Sequence, residues 1–380
     1  MKKLEKYDAG IYRNSSMNSV SNYKYFCPSL INEDWQWEDA ILTNILSKAD
    51  TSLAELKGYS ELIPNIEIFI KMHIRVEANK SNKIEGTSTS IEEDLSDKED
   101  ILPEKRDDWQ DIQNYVEAIN FGINKIKELP LSNRLIRNIH EILLSIGRGE
   151  NKTPGEFRTS QNWIGGSNPS NAMFVPPIHT DLGIYLSDLE NFIHNDTITT
   201  PLLVKIAIIH YQFETIHPFS DGNGRLGRLI IPLYLLHNNK LTNSCFYISN
   251  YFEKNRTEYY DSLTRVRLNN DMIQWIKFFL KGIIETADNA KQKFQNVLDF
   301  MKDIEKNEEL CTSTMRKVLN FMYQEPVFTR KDLIENLHIS PNNVTKTISK
   351  LLELDLIKET TGFSRNQIFT FEKYVNLFRD

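Results

Sequence analysis

Cysteine is scarce in this sequence. Cys27, Cys245 and Cys311 are the only three in 380 residues. They lie far apart and form no CxxC pair, which suits a reducing compartment and excludes a disulfide-stapled scaffold. No stretch reaches the ~18 apolar residues of a membrane helix. Lys2 and Lys3 open the chain as a signal peptide would, but the polar run "LEKYDAGIYRNSSMNSVSN" follows instead of an apolar one. The expectation is a cytoplasmic protein with no membrane partner. Positive charge is not in excess either: 45 Lys and Arg face 52 Asp and Glu, a net charge of −7. That argues against a polybasic nucleic-acid or membrane-surface binder, while leaving locally basic surfaces open. The chain has no Walker loop of the form GxxxxGK[ST], no internal repeat and no long low-complexity tract.

What is present is a large, ordinary apolar complement. Hydrophobic residues make up 40% and charged residues 26%, enough to bury a sizeable core over two or three domains. The first thirty residues, rich in Asn, Ser and Tyr, are expected to form an irregular arm. Apolar residues then recur at helical spacing from Trp37 through Leu56, with Gly58 as the stop, and again after Pro64 until Gly86 and a Thr/Ser cluster intervene. A charged connector over 96–108 precedes a helix around Trp109 to Ile126. Ser132 caps another that closes at Gly147. From 147 to 177 the texture becomes Gly, Pro, Asn and Ser, with short extended runs at 157–163 and 172–175 that read as a two-stranded hairpin or flap. Helices resume at Thr200, an expected N-cap followed by Pro201. They continue to about residue 306, the run from Gly224 through Leu236 being expected to break or bend at Pro232. The tail from Thr312 spells three short helices and two extended pieces separated by Gly362, the pattern of a winged helix-turn-helix.

The chemistry concentrates in "HPFSDGNGRLGR", His217 to Arg228. Gly222 and Gly224 sit in a tight turn feeding a helix N-terminus, where successive N–H groups form an anion-binding nest. Arg225 and Arg228 are three apart in the first turn of that helix and lean toward the same anion, which suits a polyphosphate. Asp221 makes sense beside phosphates if Mg²⁺ stands between them. His217, at a helix end before Pro218, has an ordinary pKa of ~6.5 and suits a general base. A base, a metal carboxylate and a phosphate cradle imply transfer of a phosphorus-containing group to a nucleophile.

Residues 217–228 match the signature of the Fic family, HPFx[D/E]GNGRxxR, at every specified position. The resemblance extends over roughly residues 30 to 290. It implies a mainly α fold: a Fic-type helical core with a β-hairpin flap, followed here by the winged helix-turn-helix. It divides the chain into an N-terminal helical region (1–107), a catalytic core (108–300) with its flap at about 153–177, and the winged domain (312–375). It also implies transfer of AMP from ATP to a hydroxyl side chain of a target protein, this chain itself among the candidates. On that likeness His217 deprotonates the hydroxyl and Asp221 holds Mg²⁺ on the α- and β-phosphates. Gly222, Asn223 and Gly224 cradle the phosphates, Arg225, Leu226 and Gly227 complete the ATP-binding turn, and Arg228 meets the γ-phosphate. Tyr260 belongs to the nucleoside pocket, and Ile164 and Gly165 to the flap. "SNKIEG", Ser81 to Gly86, fits the family's inhibitory pattern [S/T]xxxE[G/N], so that Glu85 pairs with Arg228 and keeps it from the γ-phosphate.

Other readings stay open at this level. His210, Glu214 and His217 fall at i, i+4 and i+7 on one helical face, a spacing that can bind zinc, although Glu214 is preferred as a supporting or packing residue. Glu85 read blandly is a solvated residue before a C-capping Gly86. His73, His140 and His194 are expected to be surface or capping histidines. The scaffold also admits AMP removal, transfer of another phosphoryl group, or a nucleotide-sensing DNA regulator. Asn342, Asn343, Lys346 and Lys350 lie in the would-be recognition helix. Residues 312–380 carry ten Lys and Arg against eight Asp and Glu, a weak field for a phosphate backbone. A protein contact is therefore preferred over DNA there. Homo-oligomers are left open.

Overall fold

The computed structural model describes residues 1–15, 22–63, 65–362 and 367–379. Four short strands open the chain: β1 (Lys2–Lys3), β2 (Gly10–Asn14), β3 (Lys24–Pro28) and β4 (Trp35–Gln36). β1 pairs in parallel with β4, and β2 antiparallel with β3, Tyr12 opposite Phe26. The expected irregular arm is thus corrected over these strands, while its residues 16–21 lie outside the described part. The cause is burial of a few apolar residues that the polar composition hides: Leu4, Tyr7, Ala9 and Phe26 are all at most 3% exposed. Gly10, at φ +127°, lets β2 pass the Cys27 carbonyl where a Cβ would lie 2.1 Å away.

Helices follow: α1 (Ala40–Leu62), α2 (Ile66–Ile84), α3 (Ile91–Leu95), α4 (Arg106–Lys125) and α5 (Asn133–Leu143), then α6 (Leu182–His194), α7 (Leu202–Ile216), α8 (Asn223–His237), α9 (Ser249–Lys254), α10 (Arg256–Asn269) and α11 (Met272–Glu305). α1 begins later than its apolar spacing suggests, because Asp39 caps it by accepting from the Leu42 amide at 2.8 Å. It also runs through Gly58, whose missing side chain would face open space, so nothing there forces a stop. Its buried stripe of Leu42, Leu46, Leu53 and Leu56 packs on α11. The connector expected over 96–108 is shorter: two 3-10 turns lead into α4, which begins at Arg106. Ser132 does cap α5, accepting from the Leu135 amide at 3.4 Å, but the helix ends at Leu143, short of Gly147. Thr200 does not cap α7. Its hydroxyl accepts from the Trp35 amide at 2.7 Å and donates to Asp34 at 3.1 Å, tying β4 to the entry of α7.

α7 and α8 form the buried centre. Every residue of α7 after Leu202 is buried, as is most of α8, and the loop joining them carries residues 217–222. Between α5 and α6 the flap closes on one antiparallel bridge, Ile164 to Phe174, with the Ile164 amide donating to Phe174 at 2.8 Å. The expected two-stranded hairpin is therefore reduced to a single rung. β3 braces it from the other side through Phe26 N–H to the Val175 carbonyl at 2.9 Å.

The tail is α12 (Ser313–Gln324), β5 (Val327–Thr329), α13 (Arg330–Leu337), α14 (Pro341–Glu353), β6 (Lys358–Glu359), β7 (Ile368–Thr370) and α15 (Glu372–Asn376). Its sheet has the order β5-β7-β6, all antiparallel, a winged helix-turn-helix with an extra strand and a final helix that the sequence pattern did not show. It docks on α2 and α11: Glu325 pairs with Lys71, Phe378 packs 5.7 Å from the His73 ring, and Lys293 donates to the Phe378 carbonyl at 3.1 Å. No helix among the described residues is long and apolar enough to cross a membrane.

Gly10→Ala should cost more than about 1 kcal/mol, because its φ is hostile to a side chain and the methyl has no room. Chemical denaturation measures this, and an unchanged midpoint would contradict the ordered N-terminal hairpin.

Candidate active site

α7 ends because His217 takes a left-handed conformation, φ 48° and ψ 61°. Its Nδ1 lies 3.3 Å from the Glu214 carbonyl. A carbonyl only accepts, so Nδ1 carries the proton and Nε2 the lone pair. Burial, against the opposing pull of that carbonyl, lowers the His217 pKa to about 4. The imidazole is therefore neutral at physiological pH, the state a general base needs.

The loop after it is held by polar side chains bonded to its backbone. The Asn223 side chain accepts from the Phe219 amide at 2.9 Å and donates to the Phe219 carbonyl at 2.8 Å, so it braces the loop and its amide is spent there. Arg158, 3% exposed, donates to the His217, Ser160 and Pro177 carbonyls at 2.9, 3.1 and 2.6 Å. Asn162 adds bonds to the His217 and Phe219 carbonyls at 3.2 and 2.9 Å. His140 is not a surface histidine. It is fully buried, stacked on Phe219 at 3.7 Å. Its Nδ1 accepts from the Gly155 amide at 2.9 Å, so Nε2 donates to the Asp221 carbonyl at 3.0 Å. Burial lowers its pKa to about 4. Neither His140 nor Arg158 stands out in sequence, since each supports backbone rather than forming part of a motif.

Gly222, at φ +74°, precedes α8 in the left-handed region that the helix start requires. Its amide donates to Asp221 Oδ1 at 2.6 Å, while the Asp221 side chain stays 46% exposed. Arg225 sits between Asp221 at 3.8 Å, Asp111 at 3.9 Å and Asn82 at 3.5 Å. Leu226 is packed in the core, and the Gly227 carbonyl faces His210 Nδ1 at 3.1 Å.

Arg228 is the centre of the arrangement. Its side chain is 1% exposed, and α2 occupies its fork: Nε donates to Ser81 Oγ at 2.8 Å, and Nη2 to the Ser81 carbonyl at 2.9 Å and to Glu85 Oε1 at 2.6 Å. Burial pushes the Glu85 carboxyl up, yet Arg228, with lesser help from Arg225 and His217, outweighs it and holds it below the ordinary value. Glu85 is still 39% exposed along its outer edge, so the pair closes a cleft rather than filling a core. A Cβ on Gly224 would lie 2.4 Å from Glu85 Oε1, and one on Gly227 2.2 Å from Glu214 Oε1. Tyr260, 39% exposed, lies at the rim with Arg256 5.8 Å from its ring. Ile164 and Gly165 sit at the flap bridge, where Gly165 at φ +69° passes the Met173 side chain.

The zinc reading fails on geometry. His210 spends Nδ1 on Gly227 and Nε2 on the Tyr259 hydroxyl at 2.9 Å, and no metal-ligating cluster occurs among the described residues. Glu214 packs instead as a buried carboxyl, raised to about 7 by burial. In the tail, Asn342, Asn343 and Lys346 on α14 are exposed, while Lys350 pairs with Glu353 at 3.2 Å.

Residues 43–124 match the Fic/DOC family N-terminal region, 130–235 the Fic/DOC family, and 312–358 the winged helix-turn-helix DNA-binding family. A stretch of 136 residues is 34% identical to Protein adenylyltransferase Fic of Aedes aegypti, covering 35% of this chain and 24% of that one. Another of 137 residues is 34% identical to a probable protein adenylyltransferase of Aquifex aeolicus, covering 36% and 37%. The matches thus span well under half of these relatives. Among solved structures, a Fic family protein from Desulfovibrio desulfuricans superposes with a TM-score of 0.56 at 19% identity, over 88% of this chain and 96% of that one. Fic-1 of C. elegans gives 0.50 at 17%, over 69% and 75%. At such identities the likeness is one of fold.

Both desolvated imidazoles should titrate near pH 4. NMR of the His217 and His140 ring protons checks this, and a midpoint near the ordinary ~6.5 would contradict the buried, neutral site.

Proposed function

From the premise that this chain belongs to the Fic/DOC family, with the family's N-terminal region before its core and a winged helix-turn-helix behind it, we propose that it transfers AMP from ATP to a hydroxyl of a target protein, and that α2 restrains the reaction. The observation that carries this is the occupied fork of Arg228, lying in the first two turns of a helix whose N-terminus is a glycine nest beside a neutral imidazole. Anions suit such a helix start, and a guanidinium held there suits a terminal phosphate.

The chain's own groups account for the chemistry as follows. The flap and Tyr260 flank the nucleoside, and the Gly222–Gly224 backbone faces the phosphates. His217 Nε2 takes the proton of the target hydroxyl as its oxygen attacks the α-phosphorus. The bond from that phosphorus to the bridging oxygen breaks, and pyrophosphate leaves. Asp221, exposed and with one oxygen fixed by Gly222, fits the single-carboxylate binding that Mg²⁺ uses beside phosphates. When bound, the ion would neutralise charge building on the leaving group.

Glu85 and the γ-phosphate would compete for one guanidinium. Because the Glu85 pKa is depressed, the pair is complete at neutral pH and is lost only as pH falls below the ordinary carboxylate range. Mild acid therefore does not release it; displacement must come from a competing anion or a shift of α2. The winged domain is read as a protein contact. Its ten basic groups are nearly balanced by eight acidic ones, and one of the recognition-helix lysines is already paired. Its family description leaves DNA as the alternative partner.

Glu85→Gly should raise AMP transfer about tenfold or more, since it frees a charge-assisted contact worth ~1.5–3 kcal/mol. His217→Ala should lower transfer by about 10²–10⁴ with ATP affinity intact. Transfer from α-labelled ATP, with the mass of the modified peptide, measures both. No labelling by the Glu85→Gly protein would favour a nucleotide sensor, and a different added mass another transferred group.

A further inference from the structure

Glu77, Ser81 and Glu85 recur every four residues and so share one face of α2. The last two hold Arg228. Glu77 is 3% exposed and serves a different pair of elements. Its Oε1 accepts from the Tyr115 hydroxyl of α4 at 2.9 Å and from Ser249 Oγ, at the start of α9, at 2.5 Å; its Oε2 accepts from the Ser249 amide at 3.2 Å. Among the described residues no ion pair holds this carboxyl. Burial pushes its pKa up to about 7, with Ser249 and Tyr115 opposing the rise. A buried acid is a poor way to fill a core, and an apolar residue of similar size usually serves stability as well or better. What the acid adds is direction, because three donors from two elements fix both the roll and the axial position of the helix.

That position matters because the contacts downstream are short and leave no slack. A roll of α2 that displaces Ser81 and Glu85 by an ångström would open the 2.8, 2.9 and 2.6 Å bonds to Arg228 together. We propose that Glu77 is a positioning residue for the restraint: through Tyr115 and Ser249 it locks α2 in the register that lays Ser81 and Glu85 on Arg228. This rests on the reading of that contact as inhibitory.

The test compares the full chain, Glu77→Gln, Glu85→Gly and the double variant, by ATP affinity, AMP transfer and hydrogen exchange over residues 78–86. Glutamine keeps the volume but sets an NH₂ donor against a donor. Glu77→Gln alone should tighten ATP about three- to tenfold and raise transfer, within the range of ordinary coupling between sites. It should add nothing in the Glu85→Gly background, and exchange over 78–86 should quicken. Tyr115→Phe, which removes one donor of three, should act in the same direction by less. A general structural staple would instead lower activity in both backgrounds, and that outcome, like no change in either, overturns the proposal. If Glu85→Gly itself leaves ATP affinity unchanged, the inhibitory reading fails separately. Exchange over 78–86 then still decides whether Glu77 fixes the helix, and unchanged exchange refutes it.

Discussion

A guanidinium sealed to 1% exposure has to be answered by its neighbours, because an unpaired buried charge is among the most costly features a fold can carry. Arg228 is answered by groups 147 and 143 residues earlier in the chain. The hydroxyl and carbonyl of Ser81 come from α2 and the carboxylate of Glu85 from its C-cap, so α2 completes the electrostatics around α8. Two glycines follow from the same packing. Gly224 and Gly227 lie where side chains would strike the oxygens of Glu85 and Glu214. Read alone, such glycines suggest a close approach of backbone to a ligand; what they meet here is two carboxylates.

The second constraint is a shell of polar contacts around His217. Arg158, Asn162, Asn223 and His140 all bond backbone atoms of residues 217–221. They satisfy the carbonyls of a buried loop that has no helix or sheet to do so. The consequence is chemical as well as structural. A desolvated imidazole, with its tautomer set by the Glu214 carbonyl, is kept uncharged and aimed. Fold and reactivity meet in the same few hydrogen bonds.

Much of this was legible in the chain. Helical periodicity located α1, α2, α4, α5, α7 and α11 because each has a long buried stripe. "HPFSDGNGRLGR" and "SNKIEG" marked the two halves of the Arg228 contact because their chemistry is dense over short spans. The failures share a cause, which is that long-range burial outvotes local composition. The N-terminal arm folds into strands because four apolar side chains reach the core. Thr200 abandons its cap for Asp34 and Trp35, and Gly58 passes unnoticed through a helix whose other face is packed. His140 and Arg158 carried no local signal, since the loop backbone atoms they hold lie 81 and 59 residues away. Glu77 carries no local signal either, since its partners Tyr115 and Ser249 lie 38 and 172 residues away.

The account depends on Glu85 and a nucleotide's terminal phosphate contending for one guanidinium. The most direct measurement is a double-mutant cycle on ATP affinity between Glu85→Gly and Arg228→Ala. Removing Glu85 should tighten ATP about tenfold or more while Arg228 is present and by almost nothing once Arg228 is alanine. An equal gain in both backgrounds would show that Glu85 obstructs the nucleotide by some other means, and the central claim would fall.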